Sequence, residues 1–310
     1  MIRTYCFKLY SSKKNKYLIQ SIELAAEIYN HCISLHKRYY RLYGKHLSKF
    51  KLQAHIVKLK KLKKYEHWNK LHSQAIQNIT DRIENAYALF FNSVKRKGRG
   101  SPPSYKRVSK YKSFTLKNRG HRLLGDNSII ITGRKYKFFK SREIEGAVKT
   151  VTVKRDILGD MYVYIVCEAE STSVRERTGR IVGFDAGYEP YLRSSEGESR
   201  ATPEFFKRNK SMLKKLNRSF ARKRRGSGKR EDVKRRLSVQ QIKFANQRRD
   251  FQFKLANELC RKYDEIYINV PDRRQKWGRK SLSLAHAGFV LILKSQAAKH
   301  GVRVVEGSTA

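Results

Sequence analysis

The sequence has no apolar run long enough to cross a membrane. A membrane-spanning helix needs about 18 or more consecutive apolar residues, and no stretch of the 310 residues approaches that length. The N-terminus also lacks the apolar core of a secretory signal peptide. These absences argue against an integral membrane protein and a secreted one, and they predict an intracellular protein.

Cysteine is scarce and scattered. The four cysteines are Cys6, Cys32, Cys167 and Cys260, and no two of them have C-x-x-C spacing. Zinc sites usually use such close pairs, and disulfide frameworks are found in much shorter chains with more cysteines. We therefore expect neither, and predict that the four side chains are small core residues kept reduced.

Acidic residues are few. The chain has 26 Asp and Glu against 71 Lys and Arg, which gives a formal net charge of +45. Such a charge repels itself unless a polyanion neutralises it, so nucleic acid is the expected partner. A membrane surface is the competing anion, but nothing in the sequence supports it. The 39% of hydrophobic residues is enough for a globular fold.

The first hundred residues change from strand to helix pattern. Residues 1–10 alternate and predict a strand, whereas residues 16–96 carry apolar residues at spacings of three and four and predict three or four helices. Within them Tyr29, Trp68 and Phe90 are expected in the core rather than on a base-stacking surface. The basic, Gly- and Pro-containing stretch 95–103 ends this region.

Short strands follow the boundary. The sequence predicts strands at 113–116, 128–131 and 136–139, then a hairpin of 148–155 and 161–168 with period-two alternation. Together with residues 2–10 these strands predict a small β-barrel into which the helical region is inserted. We expect domains at 1–15 with 97–176 (barrel), 16–96 (helical) and 177–310.

The last domain has the element order of a ribonuclease H type α/β fold. Strands are predicted at 181–184 and 191–195, helices at 204–225 and 231–262, a buried strand at 264–270, a helix from 281 to 300 and a strand at 302–305. Overall the fold class is α+β and multidomain. The first strand delivers Asp185 to a turn that contains Gly187.

Two motifs carry a family resemblance. Val182-Gly183-Phe184-Asp185-Ala186-Gly187 alone is a weak signal, but Ala245-Asn246-Gln247-Arg248-Arg249-Asp250-Phe251 follows it at a distinctive distance. With these motifs the chain resembles TnpB, the RNA-guided nuclease of insertion-sequence transposons that is related to type V CRISPR effectors. The resemblance implies a wedge-type barrel, an inserted helical recognition lobe and a RuvC nuclease domain. It also implies a guide RNA and a double-stranded DNA target beside a short flanking motif as partners.

The basic residues divide into three groups that are expected to hold RNA and DNA phosphates. They lie in the loop after the helical region, in the loop between the two long helices, and in the second motif. The candidate nucleic-acid-binding residues are Lys95, Arg96, Lys97, Arg99, Arg222, Lys223, Arg224, Arg225, Lys229, Arg230, Arg248 and Arg249.

The catalytic carboxylates of the family are incomplete in this sequence. RuvC-type cleavage uses two divalent cations about 4 Å apart, and the family holds them with three carboxylates. Asp185 matches the first, whereas Asn269 stands at the glutamate position. Asp272 is a weak substitute, and Glu265 would lie roughly 13 Å away along a strand. The third carboxylate and the family's zinc ribbon would follow Ala310, where the sequence ends.

From these absences the sequence predicts a nuclease-inactive relative that is not an enzyme and holds no metal. In that interpretation Asp185 is a remnant, and the protein requires no cofactor for binding. It resembles the TnpB-like nuclease-dead repressors, which implies a bacterial, nucleoid-associated ribonucleoprotein that represses transcription by occupying DNA. Two alternatives stay open: an active, Mg²⁺-dependent RNA-guided endonuclease, and a basic structural RNA-binding protein. The oligomeric state is not predicted.

Overall fold

The computed structural model describes residues 2–169, 176–270 and 284–307. Contacts divide the chain into two units, Met1–Glu170 and Ser171–Ala310. The expected α+β class is confirmed, while the finer domain bounds expected from the sequence stay a prediction. Among the described residues, no helix combines the length and the apolar character that a membrane span requires.

The first unit contains seven strands and three α-helices in its described part. The strands are β1 (Ile2–Lys8), β2 (Ser113–Leu116), β3 (His121–Leu124), β4 (Ser128–Ile131), β5 (Arg134–Lys137), β6 (Ala147–Arg155) and β7 (Met161–Glu168). The helices are α1 (Asn15–Tyr43), α2 (Lys49–Leu59) and α3 (Ser73–Lys95), with a 3-10 helix at Lys63–Lys70. The sequence pattern missed β3.

The predicted barrel is not closed in the described residues. One open sheet has the order β1-β7-β6-β2, and β3, β4 and β5 form a separate sheet. The strands of the second sheet are four residues long and pair among themselves, and a single bridge between Leu9 and Phe138 links them to the chain after β1. The insertion of the helices between β1 and β2 nevertheless follows the predicted order.

The core of the first unit follows the two periodicities seen in the sequence. On α1 the side chains of Ile22, Ala26, Tyr29 and Ile33 are buried, as a helical spacing of three and four requires. Trp68 is also buried, and Phe90 packs partly buried against the same core. These aromatic residues therefore stabilise the fold, as the sequence predicts.

The second unit is built on a five-stranded sheet with helices packed against it. Its strands are β8 (Ile181–Ala186), β9 (Leu192–Ser194), β10 (Ser199–Arg200), β11 (Glu265–Asn269) and β12 (Arg303–Gly307), and its helices are α4 (Glu204–Arg222), α5 (Gly228–Lys262) and α6 (His286–His300). The sheet order is β10-β9-β8-β11-β12. β9 and β10 are antiparallel to their neighbours, and β8, β11 and β12 run parallel. This is the arrangement expected of a ribonuclease H type domain.

Strand β11 is buried on one face only, whereas the sequence predicted a buried strand at 264–270. Ile266 and Ile268 lie in the core with residues of α5 and α6, whereas Tyr267 between them is 42% exposed. Ile181 on β8 is 59% exposed on the same open face as Tyr267. Side chains at alternate positions of these strands are therefore accessible.

The four cysteines are free, and three of them are buried. Burial raises the pKa of the Cys32 thiol to about 12, so that thiol is uncharged and poorly reactive at neutral pH. The prediction of core cysteines therefore holds for Cys32, Cys167 and Cys260, whereas Cys6 is partly exposed.

A buried histidine makes the first unit sensitive to acid. The ring of His36 stacks on Tyr87 with centroids 4.1 Å apart. Desolvation, helped by the nearby His46, lowers the pKa of His36 to about 4. The unfolded chain therefore binds a proton at about pH 6.5 that the folded chain does not bind until about pH 4. His36 thus costs stability as the pH falls through this window.

We predict that His36→Phe reduces this acid sensitivity, because phenylalanine keeps the ring stacking and cannot be protonated. Between pH 6.5 and 4 the loss from one such group amounts to at most about 1.4 kcal/mol per pH unit. Urea unfolding of the parent and the variant at pH 7 and pH 5 measures the difference. If the two proteins lose equal free energy of unfolding on acidification, His36 is not responsible.

Candidate functional site

Three parallel strands of the second unit end side by side. The register pairs Asn269 of β11 with Asp185 of β8 on one side and with Gly307 of β12 on the other. On the far side of β8, Arg193 of β9 is opposite Asp185. The carboxyl ends of neighbouring parallel strands are a usual place for a site in α/β proteins.

Asp185 and Asn269 are in direct contact. The Nδ2 atom of Asn269 donates a hydrogen bond to Oδ1 of Asp185 at 3.0 Å. The Oδ1 atom of Asn269 is buried and has no hydrogen-bond partner among the described residues. Both residues line a shallow cleft of about 240 Å³ that also includes Arg193 and Tyr267.

The turn after Asp185 explains the glycine of the first motif. A Cβ atom on Gly187 would lie 2.5 Å from the carbonyl oxygen of Pro190, which is too close for any side chain. The Gly187 carbonyl in turn bonds to Nε2 of His286 at 2.9 Å. Glycine at this position therefore allows the chain to turn sharply directly behind the carboxylate.

The other acidic candidates do not join Asp185 in the described residues. Glu265 is at the opposite end of β11, where the hydroxyl of Tyr267 donates a hydrogen bond to it at 3.2 Å. Glu265 lies four positions before Asn269, about 13 Å away along the strand. Asp272 is outside the described residues.

These residues do not fit a site for two divalent cations. Within residues 2–169, 176–270 and 284–307, no three His, Cys, Asp or Glu side chains form a group that could hold a metal ion. Asp185 offers one carboxylate, and Asn269 offers one amide oxygen. Mg²⁺ prefers several oxygen ligands, of which carboxylates supply the charge.

The predicted basic residues are distributed over both units and differ in their contacts. Lys95, Arg96, Lys97 and Arg99 are exposed at the end of α3 and just after it. In the second unit Arg222, Arg224, Arg225 and Lys229 are exposed at the α4–α5 connection. Arg249 on α5 is exposed, and Arg248 is half-buried with its guanidinium 5.5 Å from the ring of Phe244.

Arg230 has a structural role that the sequence did not reveal. Its Nη1 atom donates to the carbonyl oxygens of Phe220 and Lys223, both at 2.8 Å, and its guanidinium lies 3.9 Å from the centre of the Phe220 ring. These carbonyls belong to the C-terminal end of α4, where a cation stabilises the helix dipole. Arg230 therefore caps α4.

An amide cluster between α4 and α5 was also missed. Asn209 on α4 is buried, and its side chain bonds to Gln240 at 2.5 Å and to Gln247 at 2.9 Å. Gln247 belongs to the second motif, so part of that motif fixes the pairing of the two helices. The signal for this cluster in the sequence was the neutral Asn209 among the basic residues of the helix.

The chain is similar to two curated proteins named as nucleases. "Putative RNA-guided DNA endonuclease" of Streptomyces pristinaespiralis is 27% identical over 251 residues, 78% of this chain. "Putative RNA-guided DNA endonuclease InsQ" of Escherichia coli strain K12 is 25% identical over 243 residues, also 78% of this chain. The chain spans 60% and 59% of the length of these two relatives.

A solved structure has a similar fold. The "Cryo-EM structure of the Cas12f1-sgRNA-target DNA complex" matches 99% of this chain and 89% of its own, with a TM-score of 0.57. The sequences are 11% identical, so the similarity concerns the fold alone.

The prediction that the chain is not an enzyme is contradicted by the two curated names, which are those of endonucleases. It relied on Asn269 and on the position of Ala310. An amide removes one charge but keeps an oxygen that can bind a cation, and the chain covers only about three fifths of each relative. Neither observation establishes inactivity, and the narrower resemblance to nuclease-dead repressors is unsupported.

We predict that Asn269→Glu gives the site a measurable response to Mg²⁺. A second carboxylate beside Asp185 destabilises the free protein because the two negative charges repel each other, and a bound cation removes this repulsion. At about 10 mM Mg²⁺ and a Kd near 1 mM, Tm rises by about 2–4 °C. Asn269→Gln, of equal length but uncharged, is the control; equal Mg²⁺ shifts in both variants contradict the prediction.

The family comparison agrees with the order of the elements. The family model OrfB_IS605, described as "Probable transposase", matches residues 164–271, from β7 through β11. This range contains both motifs, Asp185 and the α4–α5 hairpin. Together with the two curated relatives and the matching fold, it confirms the resemblance to the TnpB family that the two motifs indicate.

Proposed function

We propose that the chain is an RNA-guided DNA endonuclease that binds a guide RNA, pairs it with a complementary double-stranded DNA beside a short flanking motif, and cleaves that DNA. The names of the curated relatives support this activity, and the fold is that of a protein solved with an RNA and a target DNA. The observation that carries the proposal is Asp185 at the end of the first strand of a ribonuclease H type sheet.

The charge distribution supports a polyanionic partner in both units. Lys95, Lys97 and Arg99 are exposed in the first unit, and Arg222 and Arg225 in the second. Contacts from such residues to phosphates are independent of sequence, which suits a protein whose target is chosen by base pairing. The guide then supplies specificity, and the protein supplies affinity.

Cleavage needs more than Asp185. The described residues give one carboxylate, that of Asp185, and one amide oxygen, that of Asn269, and Asp272 is outside the described residues. Asp185 is therefore the position at which a substitution tests the activity most directly. Its loss leaves the basic surfaces unchanged.

We predict that the purified ribonucleoprotein cleaves matched DNA in Mg²⁺, and that Asp185→Ala lowers the rate by at least about a hundredfold, or about 2.7 kcal/mol of transition-state stabilisation. DNA with a mismatched target is the substrate control, and a gel-shift assay shows that the variant still binds. Binding of matched DNA without cleavage by the parent contradicts the endonuclease proposal.

We predict that Lys95→Gln/Lys97→Gln/Arg99→Gln reduces the salt dependence of RNA binding. Each lost phosphate contact lowers the slope of log K against log salt by about 0.7 to 0.9, so three contacts lower it by about 2 to 3. Fluorescence anisotropy over a range of salt concentrations measures the slope.

The matched control is Lys8→Gln/Lys135→Gln/Lys149→Gln in the same unit. These lysines pair with Asp160, Asp126 and Glu168, each at 2.6 Å, so carboxylates already neutralise them. Equal reductions in slope by the two triple variants indicate that only the total charge matters and that the 95–99 segment is not a contact surface.

A further inference from the structure

Helix α4 separates its apolar and basic residues onto different faces. Phe206 and Asn209 are buried against α5, and Leu213 packs partly buried in the same core. The only acidic residue of the helix is Glu204 in its first turn. The remaining surface of α4 is therefore cationic along most of its length.

One stripe of this surface faces away from α5. It consists of Lys215, Arg218, Ser219 and Arg222, which line an open groove of about 350 Å³ together with Lys223. Lys215, Arg218 and Arg222 are exposed. Their spacing of three and four residues places three cations in a row about 10 Å long. We call these four residues the outer stripe.

The orientation of the outer stripe is fixed by the opposite face. Asn209 bonds to Gln240 and Gln247 of α5, and Phe206 packs edge-on against Phe244 with centroids 5.6 Å apart. These contacts prevent α4 from rotating about its axis. A partner therefore meets a preformed row of cations rather than a flexible chain, which lowers the entropic cost of binding.

The C-terminal end of α4 does not repel an anion as an uncapped helix end would. Helix C-termini carry a partial negative charge, and Arg222 is the last residue of α4. Arg230 donates to the carbonyl oxygens of Phe220 and Lys223 there. Arg230 therefore offsets the partial negative charge of the helix end, and the electrostatic potential beside the outer stripe stays positive up to Arg222.

The stripe costs stability in the free protein. Lys215 and Arg218 are three residues apart, and Arg218 and Arg222 are four residues apart. Like charges at these spacings repel each other and destabilise a helix. No salt bridge involving these three side chains is present in the described part of the chain. A surface that lowers stability without an internal counterion points to an external one.

We infer that the outer stripe binds consecutive phosphates of the guide RNA, through Lys215, Arg218 and Arg222. This assignment rests on the proposed function. A chain with a net charge of +45 needs a counterion throughout its lifetime, and in the proposed function the guide RNA is the polyanion that is already bound when the protein searches for its target. Lys and Arg contacts to a phosphate backbone also tolerate any guide sequence.

The test compares two triple variants with the same charge and spacing. Lys215→Gln/Arg218→Gln/Arg222→Gln removes the outer stripe, and Lys207→Gln/Lys210→Gln/Lys214→Gln removes three exposed lysines with identical spacing about 80° around the helix. Lys207 pairs with Glu189 at 3.0 Å, so the formal charge of the two variants is the same but the control removes one paired cation. The probe is the RNA that co-purifies with the full chain, prepared by transcription. Anisotropy gives its affinity at several salt concentrations.

The stripe variant is expected to lower the salt slope of RNA binding by about 2 to 3, and the control by less than about 1. The same stripe variant is expected to raise Tm of the RNA-free protein by about 1–3 °C, because repulsive pairs three and four residues apart are removed. A merely structural role of these residues predicts a lower Tm instead.

Two outcomes overturn the inference. One is an equal loss of RNA affinity in both triple variants, which shows that only net charge matters. The other is normal RNA binding with a defect that arises only when target DNA is added, which assigns the stripe to DNA. Both outcomes are independent of cleavage, so failure of the endonuclease proposal is distinguishable from failure of this one.

Discussion

Electrostatic repulsion is the constraint on which the rest of this structure depends. A net charge of +45 on 310 residues opposes compaction, and the two apolar cores must offset it. Some of the carboxylates neutralise individual lysines through salt bridges: Asp160 pairs with Lys8, and Glu168 pairs with Lys149. The cations without such partners are available to the nucleic acid that the proposed function requires. The few acidic residues therefore determine which lysines and arginines are neutralised within the fold and which remain unpaired.

The parallel pairing of β8 and β11 makes the candidate site. It brings Asp185 and Asn269, 84 residues apart in the sequence, to a hydrogen bond of 3.0 Å. Because a strand register cannot shift by one residue without turning every side chain to the other face, the pair is set by the core residues Phe184 and Ile268 as much as by its own chemistry. A change in that core would alter the site.

The sequence predicted the elements well where one periodicity dominates. Ile22, Ala26, Tyr29 and Ile33 identified α1, and the alternation around Val151 and Val163 identified the β6–β7 hairpin. It failed where long-range geometry decides: barrel closure, the exposure of Tyr267 and the capping by Arg230. The site was found through Asp185, but inferring inactivity from Asn269 went further than one amide allows. The spacing of motifs in the sequence identifies the residue at a catalytic position, whereas the reactivity of that residue depends on the groups that surround it in the fold.

The amide cluster of Asn209, Gln240 and Gln247 makes the pairing of α4 with α5 insensitive to salt, although both helices are rich in basic residues. Hydrogen bonds between neutral amides, and the aromatic packing of Phe206 on Phe244, are barely screened by ions. Contacts from the outward-facing lysines and arginines to phosphates are screened strongly. If the hairpin binds nucleic acid as proposed, rising ionic strength therefore releases the strand while the helix pair stays intact, and the hairpin takes up another strand without refolding.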